Sequence, residues 1–108
     1  MYLNKIIFNI YKSHANFNPS ATDRHMKCLE VYMKKAFSDI KYAFTASANI
    51  EELITLNAQV IDLSFNIEKI YHILSKQQIE EYEIYTESVK RNISKKIDDI
   101  LYYNFYQM

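Results

Sequence analysis

The sequence predicts an all-α protein, an antiparallel up-and-down four-helix bundle with a short first helix and three long ones. Three observations carry that prediction. Leu53, Leu56, Val60, Leu63, Ile67, Ile70 and Leu74 recur at alternating spacings of three and four residues, which draws a continuous apolar seam along a helix over 49–74. Glycine is absent and proline occurs once in 108 residues, so little interrupts a helical run. Two capping boxes, Asn49 with Glu52 and Ser75 with Gln78, mark helix starts.

The first helix is expected over Tyr2 to His14, with Leu3, Ile6, Ile7, Ile10 and Tyr11 on one face. Pro19 pushes Asn18 out of helical geometry, and Ser20 is expected to cap the second helix with Asp23 in its first turn. Phe17 is expected to plug the core beneath this turn. The second helix, about Ala21 to Ser47, buries Met26, Leu29, Met33, Ala36, Phe37, Ile40, Ala43, Phe44 and Ser47, and leaves Lys27, Lys34, Lys35 and Lys41 in solvent. A tight reversal over 46–49 makes helices two and three antiparallel, with Ala48 and Leu53 as a hydrophobic staple. Helix three ends near Leu74, where Leu74 and Ile79 form a second staple. Helix four then carries Ile79, Tyr82, Thr86, Val89, Ile93, Ile97 and Ile100 at bundle spacing. Its first half is acidic and its second basic, the order the helix dipole favours. Residues 101–108 form an aromatic tail that either extends the helix or docks on a neighbour. The whole of 1–108 reads as one domain.

Composition excludes more than it assigns. Without glycine the chain has no phosphate-cradling loop, dinucleotide fingerprint or nucleophile elbow, each of which needs backbone that a side chain would block. Thirteen basic residues balance thirteen acidic ones, so any contact with nucleic acid has to be local. The lone Cys28 and the absence of a signal peptide favour a reducing cytoplasm, and residues 1–10 are too short and too polar to span a bilayer. Cys28 itself reads as a small buried hydrophobe.

No catalytic or cofactor set emerges from the remaining polar residues. His14, His25 and His72 are scattered over three helices, and none is preceded by glutamate at the di-iron spacing; Glu68 and His72, four apart, could share one ion but suit a surface hydrogen bond better, so no metal is expected. Ser20, Asp23 and His25 crowd a helix start and cannot align as a triad, because residues two apart on a helix point different ways. Lys90, Arg91, Lys95 and Lys96, followed by Tyr102, Tyr103, Phe105 and Tyr106, could contact phosphates and stack on bases. The alternative is a solvated helix face ahead of a tail that locks an oligomer, with Asp98 and Asp99 diluting the positive potential. A second apolar line on helix three, Ile54, Ala58, Ile61 and Phe65, exceeds what one bundle core needs. Together with Tyr71, Tyr103 and Phe105 it is expected to form an oligomer interface.

Over roughly Ile6 to Lys96 the chain resembles the small four-helix-bundle family that includes the accessory variability determinant of diversity-generating retroelements and proteins encoded by ribosomal-RNA intervening sequences. The resemblance rests on the short first helix closed by Phe17-Asn18-Pro19, the long second helix, the Leu-rich third helix and the junction Ile73-Leu74-Ser75-Lys76-Gln77-Gln78. Val89-Lys90-Arg91 and Ile93-Ser94-Lys95-Lys96 stand where the family often has Ile-Gly-Arg and Leu-Gly-Gly-Trp, and Asp62 and Asn66 stand where relatives tend to carry basic groups. The resemblance implies a cytoplasmic homopentamer that binds a reverse transcriptase and its template RNA, with no small-molecule substrate, membrane partner or cofactor. Lys90, Arg91, Lys95 and Lys96 are then the expected phosphate contacts, and Lys34, Lys35 and Lys41 a second basic surface. The competing expectation is a bundle that binds protein alone.

Overall fold

The computed structural model describes residues 2–107, and side chains over 3–105, as four α-helices: α1 (Tyr2–Ala15), α2 (Pro19–Ala46), α3 (Ile50–Glu68) and α4 (Lys76–Gln107). No strand occurs among the described residues. The tail therefore continues α4 as far as Gln107, while Tyr106 lies outside the described side chains.

Each junction follows from local chemistry, and three differ from the sequence expectation. The amide of Asn18 donates to the Ser13 carbonyl at 3.0 Å and that of Phe17 to the His14 carbonyl at 3.1 Å. With Phe17 at φ 55°, this is a Schellman closure of α1. The position favours glycine, and phenylalanine fills it in a chain that has none. The left-handed turn carries the ring away from the core, and Phe17 is 92% exposed instead of plugging it. The cap of α2 is Asn18 and not Ser20: its Oδ1 accepts from the Ala21 amide at 3.2 Å, and Pro19 occupies the first helical position, where no amide is needed.

At the start of α3 the Glu52 amide donates to Asn49 Oδ1 at 2.9 Å, and Glu52 Oε2 accepts from the Ala48 amide, one residue before the usual capping-box partner. Ser75 and Gln78 form the full reciprocal box. Helix α3 stops at Glu68, six residues before Leu74. Beyond it the chain tightens into three-residue turns, with the Ile70 amide donating to the Ile67 carbonyl and the Ile73 amide to that of Ile70. The seam survives the change, because Ile70 and Leu74 stay buried.

All seven seam residues are buried and join Leu3, Ile6, Ile7 and Ile10 of α1, Leu29, Met33 and Ile40 of α2, and Tyr82 and Ile93 of α4 in one core. Each such side chain contributes roughly 1.5–3 kcal/mol relative to exposure. Tyr11, expected on the inner face of α1, is exposed, as is Cys28, whose position on α2 turns away from the Leu29–Met33 stripe.

Cross-helix pairs fix the register. Phe37 of α2 stacks on Tyr85 of α4 with ring centres 3.8 Å apart, and the Tyr85 hydroxyl donates to the Phe37 carbonyl at 2.6 Å. Glu30 meets Gln78 and Phe44 meets Lys96. Contacts that advance together along α2 and α4 are those of helices running the same way, as two short reversals require. Asn4 of α1 bridges to α3, donating to Asp62 at 3.3 Å and accepting from Asn66 at 2.9 Å. Where α1 and α2 cross, Ser13 and Thr22 share a buried hydroxyl hydrogen bond of 2.9 Å. The molecule measures 61 × 22 × 18 Å. Lys96 stands level with Phe44, near the end of α2, so the last turns of α4 run past the reversal between α2 and α3.

Candidate macromolecular interface

Helix α3 is apolar on two faces. Leu53, Leu56, Val60, Leu63 and Ile67 line the core, whereas Ile54, Ala58, Ile61 and Phe65 fall on nearly the opposite side at 100° per residue. All four are exposed: Ile54 by 57%, Ile61 by 37% and Phe65 by 61%. The three large side chains leave open roughly 300 Å² of apolar surface, worth about 7 kcal/mol if covered. That is the lower end of the about 300–600 Å² spanned by the largest patch on an ordinary monomer, which is often functional, and it lies on one helix.

The other residues expected at an oligomer interface divide. Tyr103 and Phe105 are exposed on the overhanging end of α4, beside Leu101 and Tyr102. Tyr71 is partly buried in the turn after α3 and packs on the core. Its hydroxyl is pushed up to about 12 by burial, then by its hydrogen bond and charge interaction with Glu83 and by the charges of Glu68 and Glu87. It thus belongs to the α3–α4 junction within one chain.

The basic cluster divides as well. The Lys96 ammonium donates to the Phe44 carbonyl at 2.8 Å and lies 4.7 Å from the centre of the Phe44 ring. A cation is placed where the C-terminal carbonyls of α2 are negative, and Lys96 clamps α4 to that end. Lys90 pairs with Glu87 at 2.7 Å. Arg91 and Lys95, one turn apart, remain exposed on the outer side of α4. Lys34, Lys35 and Lys41 are exposed on α2, Lys34 and Lys41 on one side of the helix and Lys35 about 100° round from them. Lys34 lines a cleft against Gln78 and Tyr82 of α4, and Lys35 lines another against Leu3 and Leu56.

Sequence reasoning missed the role of Lys96, because only the register between α2 and α4 brings residue 96 to residue 44. It also gave no sign that Asp62 and Asn66 serve α1 through Asn4. Ser20 is exposed in the first turn of α2, and Asp23, expected in that turn, is exposed just beyond it because the helix starts at Pro19. Among the described residues no group of three or more His, Cys, Asp or Glu side chains is gathered, and no helix is long and apolar enough to cross a membrane. No protein-family model, curated protein or solved structure matches the chain.

Proposed function

We propose that this protein is an oligomeric, non-enzymatic accessory scaffold that holds a reverse transcriptase together with its template RNA. The single observation that carries the scaffold reading is the second apolar face of α3, which the chain's own helices leave uncovered. The naming of the partner rests on the family resemblance, which also implies a cytoplasmic pentamer. Arg91 and Lys95 supply the phosphate contacts, since Lys96 and Lys90 are engaged within the chain.

A salt titration of single-stranded RNA binding tests the nucleic-acid part. Two cations per chain give a log–log slope of about −1.4, and Arg91→Glu with Lys95→Glu abolishes it. RNA affinity indifferent to salt and to both reversals removes RNA from the proposal. The engagement of Lys96 and Lys90, with zero net charge, favours a second reading in that event: a scaffold that binds protein alone through its apolar faces.

A further inference from the structure

The fold brings together two histidines that lie 58 positions apart in sequence. His14, in the last turn of α1, and His72, in the turn joining α3 to α4, place their ring centres 5.3 Å apart with planes at 75°. Both side chains are exposed at the mouth of a cleft whose α2 wall includes Asp23. Two imidazoles that share one tetrahedral ion at Zn–N lengths of about 2.0–2.1 Å hold their ring centres roughly 5 Å apart. The observed edge-to-face spacing matches that of a bound pair, and both rings are exposed, so their side-chain bonds are free to turn a nitrogen of each toward a shared ion.

We propose that His14 and His72 form a two-histidine clip for a borderline divalent transition ion such as Zn²⁺ or Ni²⁺, tying the end of α1 to the α3–α4 turn. Imidazole suits these ions, and water completes an open coordination shell in a cleft that Asp23 also lines. The clip joins the α1–α2 hairpin to the α3–α4 hairpin at one end of the bundle, so an ion held there stabilises the native chain over the unfolded one.

Calorimetric titration and thermal unfolding of the full chain with Zn²⁺, and separately with Ni²⁺, test the proposal. The expected result is one ion per chain, with Tm raised by roughly 5–10 °C at about ten times the dissociation constant. The rise is lost in His14→Ala and in His72→Ala, is reversed by chelator, and is retained in His25→Ala and Cys28→Ser. Helical circular dichroism confirms that each variant is folded, as expected for exposed side chains. A wild-type chain that binds neither ion, an undiminished rise in either His14→Ala or His72→Ala, or half an ion per chain, which marks bridging between copies, overturns the clip.

Discussion

Lys96 looks like a phosphate contact in the sequence and is an internal clamp in the structure, and its replacement separates the two roles. Lys96→Met keeps most of the aliphatic stem and removes the charge. A charge-assisted hydrogen bond contributes about 1.5–3 kcal/mol net, a cation over an aromatic ring about 0.5–1, and a cation at a helix C-terminus about 0.3–1. These overlap in one ammonium group that is partly solvated, and the Phe44 carbonyl keeps its 3.3 Å hydrogen bond from Ser47. The expected loss is therefore about 2 kcal/mol, or about 10 °C in Tm for a chain of this size. Urea unfolding measures it as a lower midpoint at unchanged m-value. The control Lys95→Met, on the exposed face, stays within about 0.5 kcal/mol of wild type. Lys96→Met indistinguishable from wild type in stability, with RNA affinity reduced, would refute the clamp and restore the sequence reading.

Two further outcomes follow from the turns and the tyrosines. Phe17→Gly relieves the left-handed backbone of the α1 closure at the cost of extra freedom in the unfolded chain. Unfolding stability is expected to stay level or rise by up to about 1 kcal/mol, whereas a loss above that would mean the exposed ring supports the fold. Alkaline pH acts through Tyr82, pushed up to about 12 by burial and then by the charges of Glu81 and Glu30, and through Tyr71, also pushed up to about 12. The unfolded chain ionises these groups near the ordinary value of about 10 while the folded chain holds its protons, so stability is complete below about pH 10 and falls between about 10 and 12. Urea midpoints across that interval should fall less steeply in Tyr82→Phe; an equal fall in both chains contradicts the assignment.

The core was legible because it depends on periodicity alone. The α3 seam, the α2 stripe and the capping residues Asn49 and Ser75 all stand where spacing and cap chemistry put them. The same periodicity hid the end of α3, since spacings of three and four look alike in an α-helix and in the tighter turns over 69–74. Phe17 misled because a Schellman closure usually announces itself with glycine, and an aromatic residue beside proline reads as core. Cys28 misled because a thiol is usually buried, yet its helical position faces out. The candidate site was legible as an excess of apolar residues on α3, a property of one helix. The roles of Lys96, Asn66 and the His14–His72 pair were not, because each depends on register between helices, and helix periodicity carries no register.

The scaffold proposal requires copies of the chain to share the apolar face that α3 leaves exposed. Multi-angle light scattering at micromolar concentration tests this most directly. The expected result is a particle of several times 12.9 kDa for the wild-type chain, and one of 12.9 kDa for Ile61→Glu with Phe65→Glu, still helical and cooperatively unfolding. A wild-type chain that runs as a single 12.9 kDa particle contradicts it.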